Sequence, residues 1–71
     1  MNAGNMYKLS DSNIYVSRDY RGKIVIIKDE PRMDKAPSGI HRTTFLCMVV
    51  ENSQILPFYD YQLSDARLLA E

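Results

Sequence analysis

The chain has 71 residues, 25% of them charged, and its formal net charge is zero. This length allows one small domain, and the single cysteine and single histidine exclude both an intrachain disulfide and a zinc site, which needs about four such ligands. The balanced charge argues against a general nucleic-acid binder, because phosphate contacts require a surplus of Lys and Arg.

Residues 1–5 are polar and aperiodic, so we expect a disordered N-terminal segment followed by a single domain at residues 6–71. This segment lacks the apolar stretch of a signal peptide. The longest apolar run, at residues 45–50, is far shorter than the ~20 residues that cross a bilayer. Together with the lone cysteine, these features predict a soluble, cytoplasmic protein without membrane contact.

Short strands separated by turns are predicted in the first part of the domain. Residues 6–9 are read as a short strand, and the polar cluster at residues 10–13 is read as a turn. The β-branched run Ile-Val-Ile-Ile at residues 24–27 is typical of a strand. Four consecutive apolar residues indicate a strand that is covered on both faces, or one that bends and serves two sheets.

Residues 29–40 contain two prolines and a glycine without any periodicity, so we expect a long loop. Loops of about a dozen residues are commonly functional or disordered. Met33 is an apolar residue beside Arg32 in this charged segment, and we predict that both residues contact a partner.

A hairpin is predicted in the second half of the chain. Residues 41–52 alternate as a strand does, with Cys47 on one apolar face, and residues 51–54 are read as a tight turn. Residues 55–63 are then expected to return as the second strand of the hairpin. Pro57 cannot donate a ladder hydrogen bond, so this strand is expected to lie at an edge or to carry a bulge.

The pattern changes near the C-terminal end. Ser64 is a good N-cap residue, and Asp65 in the following turn suits a helix dipole. Leu63 and Leu68 stand at the hydrophobic-staple positions. These signals predict a short helix from residue 65 to about residue 70.

Taken together, these elements resemble the SH3-like small β-barrels, including the KOW-type group. The resemblance rests on residues 22–28 as an early core strand, on residues 45–50 paired with 55–61, and on Gln-Leu-Ser-Asp at residues 62–65 as a closing turn. It covers about residues 6–66 and implies a mainly β fold, a barrel of about five short antiparallel strands with a short C-terminal helix. The peptide-binding aromatic motif of signalling SH3 domains and tryptophan are both absent, and the fold alone assigns no function.

No set of residues in the sequence predicts catalysis. His41 has no nucleophile and supporting acid placed to join it. Cys47 lies on an apolar strand face and is expected to be a buried thiol rather than a reactive one. The three glycines are scattered rather than gathered into a phosphate-binding loop. We therefore expect no enzyme, no metal site and no cofactor.

The aromatic residues of the strand predicted at residues 55–63 are the strongest candidates for a binding surface. Tyr59 and Tyr61 share one face, whereas Phe58 lies on the other. If Phe58 is buried, the two tyrosines form an exposed ridge; if the tyrosines are buried, the ridge disappears. Because tyrosine is enriched in binding hot spots, the predicted partner contacts are Phe58, Tyr59, Tyr61, Arg32 and Met33.

The leading functional hypothesis is a small non-enzymatic protein–protein interaction module that binds and modulates or inhibits another protein. Proteins of this size are common among phage and bacterial regulators, so a phage or bacterial origin is expected by analogy. A second hypothesis is a purely structural subunit, a homodimer or larger homo-oligomer that associates through its edge strands.

A third hypothesis is a KOW-like nucleic-acid or ribonucleoprotein accessory protein. Residues 18–35 carry six basic side chains against four acidic ones, and Arg21-Gly22-Lys23 is similar to the basic glycine turn of KOW modules. Aromatic rings among basic residues can stack on bases. The nucleic-acid contacts under this hypothesis are Arg18, Tyr20, Arg21, Lys23, Lys28, Arg32, Lys35 and Arg42.

Overall fold

The computed structural model describes residues 2–35 and 37–71, and their strands form one antiparallel sheet. The strands are β1 (Met6–Lys8), β2 (Ile24–Ile27), β3 (Arg32–Lys35), β4 (His41–Val49), β5 (Gln54–Tyr59) and β6 (Arg67–Ala70). Two short 3₁₀ helices lie at Arg18–Tyr20 and Asp60–Leu63. No helix within the described residues has the length and apolarity needed to span a bilayer. The predicted mainly β class is confirmed, but the sheet of the described residues has six strands rather than about five and is open rather than closed into a barrel.

β4 is the centre of the sheet. The strand order is β3-β4-β2-β1-β6, and β5 pairs with β4 from outside this path. β3 and β2 follow one another along one edge of β4, through residues 41–44 and 47–49, while β5 occupies the other edge. β5 pairs with no second strand of the described chain, so the edge position expected from Pro57 is confirmed.

One face of the sheet forms the core. Alternate residues of β2 and β4 are buried, as the two-residue period of a strand requires. The strand at residues 24–27 is fully covered on this face alone, since Ile24 and Ile26 are half-buried on the other. The buried apolar residues are Tyr7, Leu9, Val16, Val25, Ile27, Phe45, Cys47, Val49, Phe58 and Leu63.

The predicted C-terminal helix is wrong, because residues 67–70 form β6 and pair with β1. Ser64 closes the preceding 3₁₀ helix instead of starting a new one, and its hydroxyl donates to the Tyr61 carbonyl oxygen at 2.9 Å. A six-residue helix is unstable by itself. Pairing with β1 satisfies the backbone groups of both strands, and this tertiary gain outweighs the local capping signals.

Two predicted boundaries also differ from the structure. The strand predicted at residues 55–63 is β5, which ends at Tyr59. The backbone N–H of Tyr59 donates to the Gln62 side chain at 2.7 Å, and a 3₁₀ helix follows. The predicted loop at residues 29–40 contains β3, which pairs with β4 along its whole length. An available strand edge therefore orders a segment whose own sequence has no strand period.

The tight turn between β4 and β5 is present. It spans residues 50–53, and Ser53 adopts φ 59° while its N–H donates to the Val49 carbonyl oxygen at 2.8 Å. In the N-terminal segment, Gly4 and Asn5 exchange backbone hydrogen bonds with Ile27 and so extend the β1–β2 pairing. Met1 in the predicted disordered segment and Ala36 in the predicted loop lie outside the described residues.

Candidate binding surface

Three tyrosines from separate parts of the chain meet at one surface. Tyr15 belongs to the connection between β1 and β2, Tyr59 ends β5, and Tyr61 lies in the second 3₁₀ helix. The rings of Tyr59 and Tyr61 stack with centroids 5.6 Å apart and planes 11° apart. Tyr15 meets Tyr61 edge-on at 5.5 Å and 82°. These three residues are called the tyrosine cluster below.

A cation lies on this cluster. The guanidinium carbon of Arg42 is 5.2 Å from the centroid of the Tyr61 ring, which is within cation–π range. Nη1 of Arg42 is also 3.9 Å from Oδ1 of Asp60, a long and largely solvated ion pair. Arg42 thus lies against the Tyr61 ring, and Asp60 is its one charged partner within residues 2–35 and 37–71.

The cluster lines an open groove of about 600 Å³. Arg42 lies in it, and Pro37 and Ser38, which follow β3, complete its lining. Tyr15 and Tyr61 are 56% and 37% exposed, so their rings offer apolar area to a partner while their hydroxyl groups remain in contact with water.

A buried asparagine positions Tyr15. Asn13 is only 1% exposed, and its amide nitrogen donates to the Gln62 carbonyl oxygen at 2.8 Å and to Asp65 Oδ1 at 3.1 Å. Its side-chain oxygen accepts the backbone N–H of Tyr15 at 2.8 Å. Gln62 in turn donates from its side chain to the Tyr15 carbonyl oxygen at 2.9 Å. The connection that carries Tyr15 is therefore fixed to the 3₁₀ helix that carries Tyr61.

Of the predicted partner contacts, Tyr59 and Tyr61 line the groove but Phe58 does not. Phe58 is 4% exposed, pairs in register with the buried Phe45, and packs edge-on against Tyr20 at 6.0 Å. The alternation along β5 turns Phe58 into the core, so it offers little area to a partner, and its role as a contact residue stays a prediction. The same alternation places the half-buried Tyr59 on the outer face of the sheet.

Arg32 and Met33 lie on β3, away from the groove lining. Met33 is 65% exposed, and Arg32 forms an ion pair with Asp29 at 3.1 Å. The pKa of Asp29 is lowered, first by the hydrogen bond from the Glu30 backbone N–H and then by Arg32. Their role as partner contacts stays a prediction that is separate from the tyrosine cluster.

Several residues of the nucleic-acid hypothesis are engaged by other groups of the chain. Lys23 pairs with Glu51 at 2.8 Å, and Arg21 donates from Nε to the Asn13 carbonyl oxygen at 2.7 Å. The ring of Tyr20 is half-buried against the core, which limits it as a stacking platform. Arg32 and Arg42 also have acidic neighbours.

The single thiol of the chain lies in the core. Cys47 is fully buried, as expected, and desolvation raises its pKa to about 12, so the thiolate does not form near neutral pH. Within the described residues, no group of three His, Cys, Asp or Glu side chains could hold a metal ion.

Comparison with protein-family models, with curated proteins and with solved structures found no match to this chain. The interpretation of the surface therefore rests on its own geometry.

Sequence reasoning missed Asn13, Tyr15 and Arg42 as members of one site. The sequence predicts an ordinary turn at Asn13, and it places Arg42 only among the basic residues of the nucleic-acid hypothesis. No sequence spacing brings them together, because residues 13–15, 42 and 59–62 become neighbours only through the sheet topology.

Proposed function

We propose that this protein is a non-enzymatic protein–protein interaction module whose binding site is the tyrosine cluster with Arg42. The observation that carries this proposal is the convergence of three tyrosines and one cation in an open groove. Tyrosine supplies a large contact area at a low cost in conformational entropy, and Arg and Tyr are both enriched among residues that dominate binding energy.

The proposed fold behind this site is SH3-like. Support comes from the order β5-β4-β2-β1-β6 and from the 3₁₀ helix between the last two strands, an arrangement similar to that of SH3-like domains. In this arrangement the connection between β1 and β2 and the segment after β3 flank one groove. The function is argued from the groove and not from the fold.

The partner that fits this groove is a protein segment with apolar or proline side chains and a nearby carboxylate. The rings accept the apolar groups, and Arg42 supplies donors for a carboxylate in a partly desolvated position. Binding of this kind modulates the activity of the partner by covering its surface, which is consistent with a small regulator.

The test is capture of partners from a lysate of the native host by the tagged protein, with and without nuclease, followed by mass spectrometry. We expect at least one protein to be retained after nuclease treatment, and to be lost with the double variant Tyr59→Ala and Tyr61→Ala. Ile14→Ser, which changes an apolar side chain that is 76% exposed outside the groove, is the matched control and should retain the partner.

Circular dichroism must show that the double variant is folded. Arg42→Glu provides a second test that leaves all three rings in place, and it should also weaken partner retention. Recovery of nucleic acid, or of proteins that disappear with nuclease, would contradict the proposal in favour of the KOW-like alternative. Retention by both variants as strong as by the unmodified protein would contradict the assigned site.

A further inference from the structure

The sheet face that points away from the core carries a continuous apolar row. Met6, Ile26, Met48 and Ile55 stand directly beside one another on β1, β2, β4 and β5, through the pairs Met6–Ile26, Ile26–Met48 and Met48–Ile55. Their sequence neighbours in β2 and β4 are buried in the core, so this row faces outward. These four residues are called the apolar row.

Further apolar side chains border this row on both sides. On one side Ile24 and Val50 are joined by a backbone hydrogen bond, and on the other Leu46 pairs with Pro57. Ile55 is 51% exposed, and Leu46 and Val50 are also exposed. Met6, Ile26 and Met48 are half-buried, so the patch is partly exposed. Contiguous apolar patches mark interaction surfaces when they stay uncovered.

Basic side chains surround one end of the row. Lys8 and Lys28 follow Met6 and Ile26 by two residues and therefore share their face, and Arg67 pairs with Lys8. None of the ion pairs formed within the described residues involves these three cations. The β5 end, in contrast, has Ile55 and no basic residue. Asp11 and Asp65 line a small cavity together with Lys8 and Arg67, so three cations face two carboxylates at this end. The surface is thus apolar with a modest excess of positive charge at one end.

The size of the face argues against a second copy of the chain as its occupant. Strands lie about 4.8 Å apart, and same-face residues lie about 6.8 Å apart along a strand. The apolar row and one line of bordering residues on each side, across four strands, therefore cover roughly 400 Å² of the sheet face. A standard stable interface buries about 800 Å² per partner. The length of the row, about 15 Å, instead equals about ten residues, or three turns, of α-helix.

We propose that this face binds a short amphipathic helix of a partner protein, with its apolar side on the row and its carboxylates near Lys8, Lys28 and Arg67. Those carboxylates belong to one terminal turn of the helix, because the three cations lie at one end of the row. An apolar helix face laid on an apolar surface is a common mode of recognition. This proposal uses no residue of the tyrosine cluster and does not depend on it.

The test uses two fluorescent 14-residue helical peptides that differ only in their last turn. Both carry leucines at positions i, i+3, i+4 and i+7, and one has three glutamates in the last turn where the other has three lysines. Fluorescence polarisation should show saturable binding of the acidic peptide, at least tenfold tighter than that of the basic peptide. Binding should weaken as salt increases.

Two variants and one control locate the site. Ile55→Asp should weaken binding of the acidic peptide at least tenfold, and Lys28→Glu should shift the preference towards the basic peptide. Ile14→Asp introduces the same charge at a residue that is 76% exposed outside the sheet and should leave binding unchanged. Circular dichroism checks each fold, and Lys28→Glu, at an exposed side chain, decides the question if Ile55→Asp is unstable.

Three results would overturn the proposal. The first is equal binding of the two peptides, or no saturable binding of the acidic one up to millimolar concentration. The second is self-association in sedimentation that Ile55→Asp abolishes, which would assign the face to a second copy. The third is binding to vesicles that contain anionic lipid, lost with Lys28→Glu, without binding of the acidic peptide; that result would assign the face to a membrane surface.

Discussion

The two segments that flank the tyrosine groove are held in opposite ways. The connection between β1 and β2 has no strand, yet it buries Leu9, Asn13 and Val16. β3 is a regular strand, yet each of its four residues is exposed. Regular secondary structure is therefore a poor guide to how firmly a segment is held; buried apolar contacts and satisfied polar groups are better indicators.

Hydrogen bonding explains this difference. In the connection, the amide nitrogen of Asn13 donates to Gln62 and Asp65, which are about fifty residues away, and its oxygen accepts the N–H of the nearby Tyr15. β3 is held by its backbone pairing with β4 and by an exposed hydrogen bond of 2.6 Å from Thr44 to Asp34. Loss of a buried polar partner is costly, whereas an exposed group can turn to water.

The largest effect is expected for Asn13→Ala. This change leaves the Gln62 carbonyl oxygen and the Tyr15 N–H without their partner, so the free energy of unfolding should fall by about 2–3 kcal/mol. Urea denaturation measures it. Asn52→Ala, in the exposed turn before β5, is the control and should cost less than about 1 kcal/mol. Equal costs for the two variants would contradict the anchoring role of Asn13.

The rate of thiol labelling at Cys47 gives a second measure of the stability that Asn13→Ala removes. The thiol is buried and its pKa is raised to about 12, so a disulfide reagent at pH 8 should react only when the domain opens. A loss of about 2 kcal/mol corresponds to roughly 30-fold faster labelling for Asn13→Ala. Met33→Ser should label at the unmodified rate. Fast labelling of the unmodified protein would show that the core opens locally.

Two glycines, one in each of the two flanking segments, have positive φ angles but different surroundings. Gly22, which ends the first connection, has φ +73°, and a Cβ there would collide with the Asp11 carboxylate. Gly39, after β3, has φ +88° and open space around it except for the end of the Lys35 side chain. Gly22→Ala should therefore cost about 1–2 kcal/mol, and Gly39→Ala about 1 kcal/mol or less.

The double variant Asp11→Ala and Gly22→Ala separates the two causes in the first connection. Removal of the carboxylate should relieve the collision and leave the cost of the positive φ, so the double variant should approach Gly39→Ala in urea denaturation. If Asp11→Ala brings no recovery, the collision does not contribute to the cost.

A smaller effect is expected for side chains of β3. Met33→Ser removes an apolar side chain that is 65% exposed and should change the free energy of unfolding by less than about 0.5 kcal/mol. Val16→Ala, in the first connection, removes buried methyl groups and should cost at least about 1 kcal/mol. Thermal unfolding of both variants checks this, and a larger cost for Met33→Ser would mean that β3 packs more firmly than its exposure indicates.

The smallest effect is expected on the pKa of Asp29, which precedes β3 and pairs with Arg32, the first residue of that strand. Arg32→Ala should raise the pKa of Asp29 only part of the way to its ordinary value, because the Glu30 backbone N–H is the larger cause of its lowering. NMR titration of the Asp29 carboxyl measures the shift, with Arg42→Ala as a control that leaves this pKa unchanged. Full return to the ordinary value would show that Arg32 dominates.

Local patterns in the sequence were sufficient for several elements. The β-branched run at residues 24–27, the alternation at residues 41–49 and the turn after Val49 predicted β2, β4 and the hairpin. Pro57 predicted an edge strand because a missing N–H is tolerated only where no second neighbour needs it. In each case the signal lies within a few residues of the structure that it specifies.

What only the tertiary structure decided depends on partners far away in the chain. β6 is a strand because β1 offers it an edge, and Ser64 and Asp65 would otherwise favour a helix. Tyr59 lies on the outer face of the sheet because Phe58, the preceding residue of β5, pairs with Phe45 in the core. Asn13 brings Tyr15 to Tyr61 across about fifty residues, through hydrogen bonds that leave no local trace in the sequence.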